Sequence, residues 1–206
     1  MITIVDYGLG NLASIKNMIK KVGASAEITN DLKKIGQAEK LILPGVGAFD
    51  DGMTNLEQKG LLPMLNSRVL DDGVPILGIC LGMQLMTKRS EEGILPGLGW
   101  INGEVRKFIS GAESEKLRIP HMGWNVVSPT LNANNGIFKN DFEEMRFYFV
   151  HSYYVSLANS DEAIAYSNYG NKFVSAFKRD NIMGMQFHPE KSHKFGMQIF
   201  KNFINL

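Results

Sequence analysis

The chain has 206 residues, with 22 Lys plus Arg against 21 Asp plus Glu, a balance that gives no electrostatic reason to expect nucleic acid or an anionic membrane as partner. A single cysteine, Cys80, excludes an internal disulfide and fits a reducing, cytoplasmic setting. The opening MITIVDYGLG lacks the basic region of a secretory signal, and the uncharged run Gly73 to Thr87, 15 residues with Gly, Pro and Gln inside it, falls short of a membrane span.

Without a linker, repeat or low-complexity tract, the sequence predicts one domain over residues 1–206. ITIVD (2–6) is a short apolar strand. Asn11 is placed to cap the helix after it, on which Leu12, Ile15, Ile19 and Val22 form one apolar face and Gly23 is the stop. AEIT (26–29) and KLILP (40–44) read as strands, the latter followed by a loop, GVGAFDDG. LLPMLNSRVLDDG (61–73) reads as a helix stopped by Gly73, and PILGI (75–79) as the next strand. KRSEEG (88–93) reads as a solvated helix end with weak ion pairs. Short, continuously apolar strands alternating with helices predict an α/β fold with a mostly parallel sheet covered on both faces.

The second half changes character. GEVRKF (103–108), FYFVHSYYV (147–155), AIAYSNY (163–169), KFVSAFK (172–178) and IMGMQF (182–187) read as strands, and the short joins at 170–171 and 179–181 predict antiparallel hairpins. A helix over about 193–205 carries Phe195, Ile199, Phe200 and Phe203 on one side. The expectation is an antiparallel extension of the parallel sheet.

Sites in such sheets form beyond the carboxyl ends of the strands. Gly78-Ile79-Cys80-Leu81-Gly82 has the form of a sharp strand-to-helix turn, with a nucleophile between two glycines. A buried, inert cysteine would explain neither glycine. The turn places Cys80 at a helix N-terminus, which favours thiolate, and aims the Leu81 N–H at an oxyanion on the attacked substrate. His188, in the run HPE after a strand, is the candidate base, with Glu190 close enough in the chain to orient its ring. His151 also follows a strand but has no carboxylate within three residues, so it reads as structural. The glycine-rich PGVG (44–47) can bring further backbone N–H groups to the same oxyanion. Two rivals are open: GLGNLA (8–13) with Asp31 matches a weak dinucleotide fingerprint, and His188 with His193 has a spacing seen in metal pairs, although no C-x-x-C accompanies it. The residues alone point to acyl transfer through a thioester and leave the substrate open.

PGVGAF, GICLGMQ and HPEK, in this order, resemble the class I, triad-type glutamine amidotransferases with their flavodoxin-like fold. DYGLGN, RSEEG, LGW, GEV and IPHMGWN narrow the resemblance to the glutaminase subunits of imidazole glycerol phosphate synthase. The resemblance implies Cys80 as nucleophile, His188 as general base and acid, and Glu190 as its orienter. It implies an oxyanion hole from the Leu81 N–H and the Val46–Gly47 peptide, and glutamine contacts from Gln84 and the backbone around Ser152 and Tyr153. It implies a partner, a (β/α)8 barrel cyclase, with Asn11, Trp124, Tyr148 and Lys191 at or near the interface, and neither cofactor nor metal. The alternative within the same chemistry is a paralogue whose ammonia aminates a surface-polysaccharide sugar precursor. A peptidase of this fold commonly has histidine directly after the nucleophile, where this chain has Leu81.

Overall fold

The computed structural model describes residues 1–109, 117–133 and 136–206. Strand β1 (Ile2–Val5), helix α1 (Leu12–Lys21), β2 (Ala26–Thr29), α2 (Leu32–Gly36), β3 (Lys40–Leu43), α3 (Phe49–Gln58), α4 (Leu62–Asn66), β4 (Ile76–Ile79) and α5 (Leu81–Leu85) follow in chain order. Then come β5 (Gly103–Lys107), β6 (His121–Pro129), β7 (Met145–His151), β8 (Tyr153–Leu157), β9 (Ala163–Tyr169), β10 (Asn171–Arg179), β11 (Ile182–Met185) and α6 (His193–Ile204). The sheet runs β2-β1-β3-β4-β11-β10-β9-β6-β7, with β8 branching from β10 and β5 pairing with β8. β2, β1, β3, β4 and β11 are mutually parallel, and the remaining pairings are antiparallel.

Period-two geometry turns the apolar parallel strands into two cores. Ile2, Ile4, Ile42, Leu77 and Ile79 face α1 and α6 and pack with Ile15, Ile19, Ile199, Phe200 and Phe203. Val5, Leu41, Leu43 and Ile76 pack with Phe49, Leu56, Leu65 and Leu81 on the opposite face.

Several expectations change. Asn11 stands at the N-cap of α1 but its side chain makes no capping bond. α2 was not read from its short pattern; Asp31 caps it by accepting from the N–H groups of Lys33 and Lys34. The loop after β3 becomes α3 already at Phe49, and the helix expected over 61–73 tightens as α4 and relaxes into a π turn over Ser67–Asp71. Residues 88–93 are not a helix end, because α5 stops at Leu85. Arg89 pairs with Glu104, while the carboxylates of Glu91 and Glu92 accept the N–H groups of Lys107 and Phe49. The single strand expected over 147–155 breaks at Ser152, because β7 pairs with β6 while β8 pairs with β5 and β10. The two hairpins of the second half form as expected, β9 with β10 and β10 with β11.

Candidate active site

β4 lies between β3 and β11, in register with β11 so that Ile79 stands beside Met185. Cys80 N–H donates to Met185 O at 2.7 Å, which sets the residue after β4 beside the chain leaving β11. That chain carries Gln186, His188 and Glu190, so nucleophile and base emerge from neighbouring carboxyl ends of one sheet.

The turn at Cys80 is strained, with φ 53° and ψ −108°, a left-handed conformation that non-glycine residues seldom hold. The flanking glycines have separate reasons. A Cβ on Gly82 would lie 1.8 Å from Leu43 O, so α5 starts flush against the end of β3. A Cβ on Gly78 would come within 2.8 Å of Gly82 O and Met83 N, so β4 passes flush under α5. Cys80 Sγ lies 3.9 Å from Val150 O, to which the thiol donates, and 3.7 Å from Gln186 Nε2.

His188 Nδ1 and Glu190 Oε1 are 2.8 Å apart, and both side chains are 1% exposed. The carboxylate accepts only, so Nδ1 carries the proton and Nε2 is the basic atom. Nε2 is buried without a hydrogen-bond partner. Burial disfavours the charged ring, but the Cys80 and Glu190 charges beside it prevail and hold His188 at about 10. Ser192 fixes the turn: its hydroxyl donates to His188 O at 2.6 Å and accepts Tyr148 N–H at 3.0 Å.

A cavity of about 250 Å³ opens over Cys80 and is lined by Val46, Gly47, Leu81, Gln84, Glu92, Pro120, Val150, His151, Ser152 and Tyr153. Every residue expected at the oxyanion hole and the glutamine contacts therefore borders one space with the nucleophile. Gly47 takes φ 127°, and a Cβ on Gly45 would strike the Tyr7 hydroxyl at 2.5 Å, Leu81 Cβ at 2.7 Å and Gly82 N at 2.8 Å, so the PGVG turn lies directly on the elbow. The buried Tyr7 hydroxyl donates to Pro44 O at 2.5 Å; burial first and the Cys80 charge second push that phenol up.

Sequence reasoning missed Glu92 and Gln186. Glu92 contributes a carboxylate that accepts Phe49 N–H at 2.9 Å; burial pushes its carboxyl up, the Phe49 bond opposes this, and Asp50 and Asp51 add to the rise. The run of charges at 88–93 was its only signal. His151 is buried at the wall of the cavity over Cys80, and both its ring nitrogens are engaged by groups outside the triad. Its Nδ1 meets Tyr153 O at 2.8 Å and its Nε2 meets His121 Nδ1 at 2.9 Å. A carbonyl accepts only, so both rings are neutral with Nδ1 protonated. Burial pushes His151 down to about 3 and His121 down to about 4.

The rivals lose their residues. Asp31 is occupied as a helix cap, and Gly10 packs its backbone against Pro44 and Gly45. His193 is exposed and stacks on Trp124 at 5.5 Å, while His188 is buried on Glu190. Of the four residues expected at an interface, Trp124, Tyr148 and Lys191 form one patch. Trp124 meets Tyr148 edge-on at 6.4 Å, and Lys191 Nζ lies 5.6 Å from the Tyr148 ring. Asn11 starts α1, which packs beside the 189–191 turn.

The family description Glutamine amidotransferase class-I matches residues 3–206. The chain belongs to the class-I glutamine amidotransferases. Two relatives are similar over nearly the whole of both chains, and each is named imidazole glycerol phosphate synthase subunit HisH 2. The one from Methanococcus maripaludis is 55% identical over 99% of this chain and 98% of its own, and the one from Pseudomonas aeruginosa is 52% identical over 100% of both. A solved structure described as PurLQS from Thermotoga maritima shares the fold, with a TM-score of 0.73 at 19% identity over 99% of this chain and 97% of that one. As a class-I amidotransferase, the chain has the α/β architecture that its alternating strands and helices predict. No helix among the described residues is long and apolar enough to cross a membrane.

Proposed function

We propose that this amidotransferase is the cytoplasmic glutaminase subunit of an imidazole glycerol phosphate synthase, and that Cys80, His188 and Glu190 carry its chemistry. The observation that carries the reading is the convergence of a strained Cys80, an oriented His188 and a cavity over the nucleophile at the carboxyl ends of neighbouring strands. The two relatives named HisH 2 support the choice of synthase.

Glutamine enters the cavity with its carboxamide at Cys80. Gln84 Nε2 already donates to Tyr153 O and Gln186 Oε1, both at 3.1 Å, so Gln84 has only its Oε1 to offer a ligand. That oxygen and the Glu92 carboxylate suit the substrate's ammonium group, and the backbone around Ser152 and Tyr153 completes the contacts. In the ion pair that the site favours, His188 Nε2 already holds the thiol proton, and Sγ attacks the amide carbon. The Leu81 N–H, in the first turn of α5 where helical N–H groups lack helix partners, and the Val46–Gly47 peptide stabilise the oxyanion. The C–N bond breaks as His188 returns the proton to departing ammonia. A water, deprotonated by His188, then hydrolyses the thioester and releases glutamate.

Ammonia set free in water becomes ammonium, which is not nucleophilic, so it must pass directly to an acceptor site. The relatives' description as a synthase subunit supports an acceptor site on another polypeptide. The reading makes it a (β/α)8 barrel cyclase in a heterodimer, seated at the patch of Trp124, Tyr148, Lys191 and the start of α1 with Asn11. Glutaminase is weak until the barrel holds its nucleotide, with the PGVG peptide as the element that switches. A paralogue of the same chemistry would have a second acceptor, a sugar precursor of a surface polysaccharide, which stays in the test.

The experiment is co-purification with the cyclase and an assay of glutaminase with and without the nucleotide intermediate. A stable complex whose glutaminase rises with the nucleotide is the expected result. Strong glutaminase in the isolated chain, or stimulation only by a barrel that aminates the sugar precursor, contradicts the assignment.

A further inference from the structure

Gln186 is a buried polar side chain on Cys80 that the triad leaves unused. It is 0% exposed, two residues before His188, and its N–H is held by Ser175 O at 2.9 Å. The identity of its side-chain atoms follows from donor counting. Tyr153 O accepts only, so the Gln84 atom 3.1 Å from it is the amide nitrogen. That same nitrogen lies 3.1 Å from Gln186, whose facing atom must then be the oxygen. Gln186 therefore presents its amide N–H2 to Cys80 Sγ, at 3.7 Å.

The thiol and the thiolate feel this arrangement differently. The thiol donates to Val150 O at 3.9 Å, a contact that turns repulsive once the proton leaves. The Gln186 contact gains on ionisation, because a donor to an anion is a stronger hydrogen bond than one to a neutral sulfur. It is also fixed before reaction, since the Gln186 oxygen is pinned by Gln84 and the chain by Ser175. We propose that Gln186 is a catalytic residue of the glutaminase, donating from Nε2 to Cys80 Sγ so that the thiolate is stabilised and held facing the cavity. The same chain of amides, Tyr153 O to Gln84 to Gln186 to Sγ, ties the wall of the substrate cavity to the nucleophile. This inference rests on the reading of Cys80 as the nucleophile.

The test uses Gln186→Met, which removes the donor at similar volume, and Gln186→Glu, which keeps shape and the acceptor for Gln84 but replaces the donor. Cys80 is the only cysteine in the chain, so iodoacetamide alkylation of the full-length protein reports on it alone. In both variants the pH at half-maximal alkylation rate moves up, and glutaminase kcat in the cyclase complex falls about tenfold or more with little change in KM. Melting curves confirm that each variant is folded; Gln186→Glu, nearly isosteric, keeps the test decisive if Gln186→Met does not fold. An alkylation profile unchanged in Gln186→Glu, or wild-type kcat restored by it, overturns the proposal. A wild-type protein that keeps glutaminase after complete alkylation overturns the nucleophile reading instead, which separates the two failures.

Discussion

Glu190→Gln perturbs the triad with the least change of shape. The carboxylate accepts from His188 Nδ1 at 2.8 Å with both side chains 1% exposed, and its other oxygen, Oε2, is buried without a partner. Glutamine preserves volume and the acceptor toward Nδ1, so the ring tautomer survives. The charge that stabilises the imidazolium formed when His188 takes the thiol proton is lost. Exchanging a charge-assisted hydrogen bond for a neutral one costs about 1–2 kcal/mol, or about 5–30-fold in kcat. The same charge helps hold His188 at about 10, well above its ordinary 6.5. A histidine raised on folding contributes stability that is fully present below about 6.5 and lost as the pH rises through about 10. The melting-temperature gap between wild type and Glu190→Gln is therefore widest below pH 6.5 and narrows toward pH 10. The assay is glutaminase in the cyclase complex at saturating nucleotide, with kcat and KM separated, alongside melting curves across that range. A kcat within about twofold of wild type together with a pH-independent melting gap refutes the reasoning.

Gly82→Ala drives a Cβ to within 1.8 Å of Leu43 O, a backbone atom that cannot step aside, and should cost about 3 kcal/mol or more in a denaturant titration; an unchanged midpoint contradicts the close approach. Ser192→Ala strips the acceptor from Tyr148 N–H and one of the two donors from His188 O, and is expected to cost about 1–3 kcal/mol and lower glutaminase kcat, whereas wild-type kcat would show that the turn holds His188 without it. His121 and His151 are held neutral, at about 4 and about 3, so the unfolded chain takes up their protons first and stability falls as pH drops from 6.5 toward 3; His151→Gln flattens that slope, and an identical slope in the variant would place the acid lability elsewhere.

The parallel half of the sheet was legible because its central strands β1, β3 and β4 are largely apolar runs that need burial on both faces, and Cys80 stood out because two glycines flanked it. The triad partner was legible because His188 and Glu190 are two residues apart; no comparable local cue links Gln186 to Cys80, although a lone glutamine between Met185 and Phe187 marks a polar group entering the core. β6 was invisible because its outward face carries Met122 and Trp124, 64% and 46% exposed, which blurs the alternation that marks a strand. The break at Ser152 was invisible for a tertiary reason: FYFVHSYYV has uniform strand propensity, and only the different pairing partners of β7 and β8 divide it. Glu92 reads as a surface charge by composition, and becomes part of the cavity only because Phe49 N–H at the start of α3 needs an acceptor there.

The central claim is a division of labour, in which Cys80 releases ammonia and another polypeptide consumes it. The most direct measurement is synthesis by the Cys80→Ala complex with glutamine and, separately, with ammonium salts as nitrogen source. The account predicts that glutamine-dependent synthesis is abolished while ammonia-dependent synthesis keeps its wild-type rate. Equal loss of both, or survival of the glutamine-dependent reaction, would contradict it.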